Sequence, residues 1–342
     1  MLVTRLTRRG IPIETLPAPD RLSPEIVWKL ARLIRRARCE IVHCYNPRPM
    51  LYGGVAARSL GIRSVLASLS AFACHVPDRS YGFLPQALHT ESRRNRWRNR
   101  IAVAMARNVV VVSRILGERF FQFNSISPRK LRVISYGVDV NALQRPSPEE
   151  IQAFREKIGV CPGEVLVGSV SRLTEQKDYP TQFRAFALAH ATYRKMRMAI
   201  FGNGPEESRL KSLANELGIA DRVMFLGHWD DVPLAMRSLD VFLITSKFEP
   251  YGVALLEAKA AGLAIIATEV NEIPELLRGG ECGLLSPPQD PERIAECILQ
   301  LAQDPALRKS LGQRAFEDAR VHHSLEVLIE QYQQLYEEIR NS

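Results

Sequence analysis

Two carboxylates, Glu249 and Glu257, lie in the run Phe248-Glu249-Pro250-Tyr251-Gly252-Val253-Ala254-Leu255-Leu256-Glu257-Ala258. A strand-like run, Asp240 to Ser246, precedes them; a helical run and then the strand-like run Leu263–Ala267 follow. Glu249 is therefore expected on a loop at the carboxyl end of a strand, and Glu257 about one turn into the next helix. In open α/β sheets ligands bind at that edge. Gly252 supplies the tight backbone geometry of the loop. The N–H groups near Val253 and Ala254 are left free at the helix start, where an anion is favoured. Carboxylates flanking an anion site suit a ligand with both phosphates and hydroxyls, such as a nucleotide sugar. Alone, the same residues also describe a helix with two solvated glutamates, and the rest of this half of the chain decides between the readings.

Ser169-Val170-Ser171-Arg172-Leu173-Thr174-Glu175-Gln176-Lys177 follows the first strand-like run of that half. Arg172 and Lys177 are placed in the loop at its carboxyl end, the same edge as Glu249. There they can neutralise a diphosphate, Arg172 as a planar fork and Lys177 as a point charge; solvated loop cations are the plainer reading. Gly202-Asn203-Gly204-Pro205 ends the second run, where glycines allow close backbone approach or simply mark a turn.

The elements that must position these residues alternate. Strand-like runs are expected at Glu164–Val170, Met196–Phe201, Arg222–Leu226, Asp240–Thr245 and Leu263–Ala267, with helical runs Tyr179–Tyr193, Pro205–Leu217, Asp231–Ser238 and Val253–Ala261 between them. That pattern predicts a parallel sheet covered by helices on both faces. The amino half reads similarly. Strands are expected at Ile11–Leu16, Cys39–Cys44, Ser64–Ser68, Asn108–Val112 and Leu131–Ile134. Helices are expected from Ser23, as N-cap, to Ala37, at Arg48–Leu60, and in the arginine-rich stretch before Asn108. Residues 137–163 hold the junction between halves, and Ser324–Ile339 is expected to be a helix with an apolar stripe. The organisation expected is thus an α/β chain of two Rossmann-like domains facing a cleft: residues 1–155, residues 156–322, and a terminal helix at 323–342 packing back on the first domain.

At 342 residues the chain is too long for one ordinary core. No apolar run is long enough to cross a membrane, and the first residues hold no signal-like apolar stretch. Six cysteines without a C-x-x-C pair point to a reducing, cytoplasmic compartment. His43-Cys44 and Cys74-His75 could be drawn together around zinc, but each is also an ordinary strand-end pair. Charge is uneven: residues 1–155 carry 26 Lys+Arg against 10 Asp+Glu, residues 156–342 carry 20 against 27. The cluster Arg93, Arg94, Arg96, Arg98, Arg100 surrounds Trp97 and runs into Ile101-Ala102-Val103-Ala104-Met105. A basic helix with a Trp and an apolar end suits an anionic membrane surface, and a solvated face is the alternative. No nucleic-acid motif accompanies the charge, so no nucleic-acid partner is expected.

The ordered set Ser-Arg-Leu-x-x-x-Lys, Gly-Asn-Gly-Pro, Phe-Leu-Gly and Ser-x-x-Glu-Pro-Tyr-Gly-x-x-x-x-Glu-Ala resembles the retaining glycosyltransferases of family 4, which have the GT-B fold. Val270-Asn271-Glu272-Ile273-Pro274-Glu275-Leu276 and Tyr332-Gln333-Gln334-Leu335-Tyr336 extend it. The likeness is strong over residues 128–340 and looser over 11–70. It implies a hexosyltransferase that uses a nucleoside-diphosphate sugar, preferentially a UDP-sugar, and acts on a lipid-linked or polysaccharide acceptor at the inner face of the plasma membrane as a peripheral protein. Arg172 and Lys177 would stabilise the leaving pyrophosphate and Glu249 would hold sugar hydroxyls. Tyr251, Gly252, Val253 and Ala254, with Gly202 on the facing loop, would line the phosphate site, and Glu257 would bind ribose hydroxyls. No cofactor or metal is implied, and the chain has no Asp-x-Asp at a strand end.

Three departures stand out. Asn271-Glu272 replaces the Gly-Gly common in the family. Ser70-Ala71-Phe72 stands where a His is common, leaving His75 as the nearest candidate active-site histidine. Relatives also open with a strand, a glycine-rich loop, a helix and a second strand before the equivalent of Gly10-Ile11-Pro12. The resemblance therefore implies an amino-terminal domain that is incomplete by on the order of 50 residues, through a late start codon, a fragment or divergence. A non-catalytic nucleotide-sugar-binding protein and a GT-B nucleotide-sugar epimerase are the rival functions, since the fold hosts several activities.

Overall fold

Val165-Leu166-Val167-Gly168-Ser169-Val170 is apolar on both faces, which suits a strand covered by helices on both sides. The computed structural model describes residues 6–7, 9–16, 23–70 and 93–341. It places this run, β5 (Val165–Val170), at the centre of a six-stranded sheet. The first sheet holds β1 (Val42–Tyr45), β2 (Val65–Leu69), β3 (Asn108–Val111) and β4 (Leu131–Val133) in sequential order. The second adds β6 (Met196–Phe201), β7 (Val223–Gly227), β8 (Val241–Ile244), β9 (Ala264–Thr268) and β10 (Leu284–Ser286), in the order β10-β9-β8-β5-β6-β7. All pairings are parallel. Strand order reverses between β5 and β8, which is where a doubly wound sheet opens a crevice. Phe183, Phe186, Ile298 and Leu301 cover one face of this sheet from the helices Tyr179–Thr192 and Pro291–Gln303. Leu255, Leu256 and Ala258 of Val253–Ala260 belong to the core on the other.

Among the helices not expected from the alternation are Pro148–Lys157, Pro291–Gln303 and Pro305–His322. Each starts with a capping side chain followed by Pro. Ser147, Asp290 and Asp304 accept from the N–H groups of Glu150, Arg293 and Leu307 at 3.2, 2.9 and 2.8 Å, and Pro costs nothing at a position whose N–H has no helical partner. The strand expected at Ile11–Leu16 does not form. Ile11 and Ile13 are 46% and 37% exposed, and without a hydrogen-bonded neighbour an extended run is not a strand. Ser23 sits at the expected N-cap of Pro24–Arg36, but its side chain makes no cap bond; its N–H donates to Tyr52 Oη at 3.3 Å instead.

After the second domain the chain returns to the first. Val138 N–H donates to His323 O at 2.8 Å and Leu325 N–H to Val138 O at 3.0 Å, after which Leu325–Asn341 lies on the first sheet. Leu335 and Ile339 there complete a cluster with Leu66, Val110 and Ile134. The polar edge of the contact is a chain of rings and hydroxyls: His43 Nε2 meets Ser68 Oγ at 2.6 Å, Ser68 Oγ meets Tyr332 Oη at 3.0 Å, and His43 Nδ1 meets Tyr336 Oη at 2.8 Å. His43 is therefore committed to hydroxyls. Its neighbour Cys44 is buried, its thiol pushed up to about 11 by burial. The described residues contain no metal-ligand cluster, and Cys74-His75 lies outside them.

Burial lowers the pKa of His43, and it lowers that of His323 to about 4, with Lys259 adding to the effect. Both folded values lie below the unfolded one of about 6.5, so the fold favours the neutral rings. Their contribution is present above about pH 6.5 and is lost as pH falls through the folded values, about 4 for His323. The melting temperature should fall over that window, and the doubly substituted His43→Gln/His323→Gln chain should show a shallower slope. An identical slope would contradict the assignment.

Candidate active site

Two loops leave the sheet on either side of the switch point. After β5 the chain runs through Arg172 to the short turn Glu175–Lys177 and then Asp178, which takes left-handed geometry with φ 49°. After β8 it runs through Thr245 and Ser246 to Glu249. The loops are zipped together. Thr245 Oγ1 donates to the carbonyls of Lys177 and Asp178 at 3.0 and 3.2 Å, Gln176 Nε2 donates to Phe248 O at 2.9 Å, and Lys247 N–H donates to Gln176 O at 2.9 Å. Under them, Ser169 Oγ donates to Leu243 O and accepts from Gln182 Nε2 at 2.8 Å.

At the mouth, Lys177 Nζ and Glu249 Oε2 form an ion pair whose side chains are 17% and 8% exposed. Ser246 Oγ donates to the same carboxylate oxygen at 3.2 Å. Glu249 N–H donates to Asn271 Oδ1 at 3.1 Å, with Asn271 itself left-handed at φ 50°. A buried charge pair needs such additional hydrogen bonds to offset its lost hydration. The carboxylate is thereby held with its second oxygen available to a ligand, and Lys177 is fixed at the mouth of the loops, where an anion can reach it.

Arg172, on the loop after β5, is exposed and has no ion pair among the described residues. Gly202 and Gly204 lie against its loop: a Cβ on Gly202 would stand 1.9 Å from Ser171 O, and one on Gly204 2.1 Å from Leu173 O. Only glycine permits that approach. Gly252, with φ 100°, turns the chain into Val253–Ala260 with no side-chain cap, so the first N–H groups there are left to an incoming acceptor of hydrogen bonds. Val253 is exposed and Ala254 half-buried at that start. Glu257 is half-buried one turn on, its carboxyl pKa raised by burial. The ring of Tyr251 is 3% exposed and meets Tyr136 edge-on at 5.2 Å, so its side chain belongs to the contact between domains.

The structure therefore brings Lys177 and Glu249 into contact and sets Arg172, Gly202 and the Tyr251–Glu257 segment around the same sheet edge. His75 lies outside the described residues. Thr245, Gln182 and Asp178, which hold the loops, carry no role in the sequence reading, and Ser246 enters it only as the first residue of the Ser-x-x-Glu motif. Polar residues at the end of the apolar run Val241–Ile244 were the available signal.

Known proteins agree with this architecture. Residues 150–318 match the family described as "Glycosyl transferases group 1", and residues 3–142 match "Glycosyltransferase Family 4". The N-acetyl-alpha-D-glucosaminyl L-malate synthase of Bacillus anthracis is 30% identical over 56% of this chain and 50% of its own length. The lipopolysaccharide core biosynthesis glycosyltransferase LpsE of Rhizobium meliloti is 32% identical over 60% of this chain and 58% of its own. The chain thus spans about half the length of these relatives. Anabaena HepE, solved in complex with UDP, superposes with a TM-score of 0.81 at 22% identity, covering 98% of this chain and 89% of that one. With the two family matches covering both domains and two parallel sheets in the arrangement of that structure, the chain belongs to the family 4 glycosyltransferases and has the GT-B fold.

Proposed function

We propose that the chain transfers a hexosyl unit from a nucleoside-diphosphate sugar, with UDP as the preferred nucleotide, to a saccharide acceptor, with retention of configuration and no bound metal. The observation that carries this is the Lys177–Glu249 pair astride the switch point, flanked by Arg172 and an uncapped helix start. A diphosphate placed there meets two cations and free N–H groups, a donor set that needs no metal to balance its charge. Glu249 faces the sugar end as an acceptor of hydroxyl hydrogen bonds, and Glu257 accepts from the ribose. The bond between the anomeric carbon and the leaving phosphate oxygen breaks while the acceptor oxygen bonds to that carbon on the same face. The acceptor proton passes to the departing phosphate oxygen. Charge grows on the diphosphate during this step, so Lys177 and Arg172 act most strongly in the transition state. The HepE structure contains UDP, which supports that base.

A lipid-linked or polysaccharide acceptor at the cytoplasmic membrane face fits the first domain's surface. The helix Pro47–Ser59 packs against both Pro24–Arg36 and Arg93–Met105, so these two basic helices share one layer. Each exposes a tryptophan: Trp28 and Trp97 are both 61% exposed, and the Arg32 guanidinium lies 5.8 Å from the Trp28 ring. Aromatic rings among arginines are suited to an anionic interface. No helix among the described residues is long and apolar enough to cross a membrane.

Calorimetric titration should give saturable binding of UDP in preference to GDP, and Glu257→Ala should weaken it at least about tenfold, near 1.4 kcal/mol. Lys177→Ala should lower turnover by on the order of a hundredfold with a smaller change in nucleotide affinity; a rate within about twofold of the parent would remove Lys177 from this role. Vesicles containing phosphatidylglycerol should retain the chain at low salt and release it as salt rises. The double substitution Trp28→Ala/Trp97→Ala should reduce that retention, and equal retention on neutral vesicles would exclude an anionic surface as the partner.

A further inference from the structure

Between the carboxyl ends of the two sheets lies a cavity of about 360 Å³, within the size range of small-molecule sites. Ser113, Ser135 and Arg114, the last paired with Glu118 at 3.7 Å, line its first-domain side at the ends of β3 and β4; Tyr251, Glu272, Glu275, Arg278 and Asp318 line the other. Asp318 is already committed, paired with Lys259 and with Arg278 Nε at 2.8 Å. Glu272 is not. It is 1% exposed, and neither carboxylate oxygen has a well-formed hydrogen bond among the described residues. Burial, reinforced by Glu275, raises its pKa; the nearby Ser113 hydroxyl and Arg119 oppose the shift without cancelling it. The Ser113 oxygen meanwhile accepts from Leu116 N–H as a helix cap, at 3.2 Å.

A buried carboxylate without partners is costly, and a native group left in that state calls for an explanation. A ligand supplies one here. Glu272 adjoins Asn271, whose side chain accepts from the Glu249 N–H, so the cavity wall is tied to the Glu249 loop. The cavity is also bounded by the first domain, which the glycosyl-transfer reading makes the acceptor side.

Resting on the glycosyl-transfer reading, we propose that Glu272 determines acceptor specificity. It accepts hydrogen bonds from a hydroxyl or ammonium group of the acceptor ring and turns away rings that carry an anion at that place. Repulsion of this kind discriminates more sharply than attraction alone.

The test uses the full chain saturated with UDP and three probes: methyl α-glucoside, methyl α-glucosaminide and methyl α-glucuronide, with binding read by calorimetry. The neutral and cationic probes should bind, the glucuronide at least about tenfold more weakly. Glu272→Gln, which keeps shape and removes charge, should bring the glucuronide to within about twofold of the glucoside while UDP affinity stays unchanged. Glu272→Gly provides a second variant should the glutamine chain fail to fold. The inference is overturned if a chain that holds UDP binds none of the probes, if the glucuronide binds as well as the glucoside, or if the variants keep the parent's discrimination. A chain that does not bind UDP overturns the donor-site reading itself, and this inference with it.

Discussion

The reversal of strand order between β5 and β8 is the constraint on which the site depends. Helices leaving the two strands diverge to opposite sides, so the loops that follow are the two that can meet over the crevice between them. Lys177 and Glu249 are 72 residues apart in sequence and touch because each terminates one of these loops. The hydrogen bonds from Thr245 and Gln176 hold the loops together before any ligand arrives. Preorganised charge of this kind does not have to be reoriented when a diphosphate begins to leave. The position of the pair also explains the glycines: a backbone that must pass under Arg172 has no room for Cβ at Gly202 or Gly204.

Much of the second domain was legible in the sequence because its strands are buried on both faces. Burial of that kind leaves short apolar runs such as Val241–Ile244, and the helix and glycine loop after each run mark the ligand edge. The first-domain expectation at Ile11–Leu16 failed for a related reason: apolar alternation records a preference for a sheet, but a strand requires a neighbour, and no local pattern supplies one. The helices opening with Ser147-Pro148, Asp290-Pro291 and Asp304-Pro305 carried a clear local signal that attention to strand alternation passed over. Contacts such as His43 with Tyr336, 293 residues apart, have no local signature at all. Glu272 lies between these cases. Its departure from glycine was visible in the sequence, whereas its burial without partners depends on two domains meeting.

The two domains are joined by more than a tether. The chain crosses near Val138 and crosses back near Ser324, and the two crossings pair with each other. Past the first crossing, Gln144 Nε2 donates to Ala260 O at 2.6 Å and Arg145 Nη2 forms an ion pair with Asp231 at 2.6 Å, which fastens the crossing segment to the second domain. Paired crossings limit sliding of one domain past the other more than they limit opening and closing of the cleft. The wall formed by Ser113 and Ser135 therefore stays in register with Tyr251 and Glu272.

The return of Leu325–Asn341 to the first sheet has a consequence for biogenesis. Leu66, Val110 and Ile134 leave the ribosome before the second domain, but the residues that cover them, Leu335 and Ile339, leave after it. The first domain is thus begun before the second and completed after it. Until Leu325–Asn341 has emerged its apolar face stays open, and closing it carries the entropy of a loop that encloses the whole second domain. Order of synthesis makes the second domain the unit that can complete its core on the ribosome, and makes the first the one exposed to chaperones and proteases in the interval.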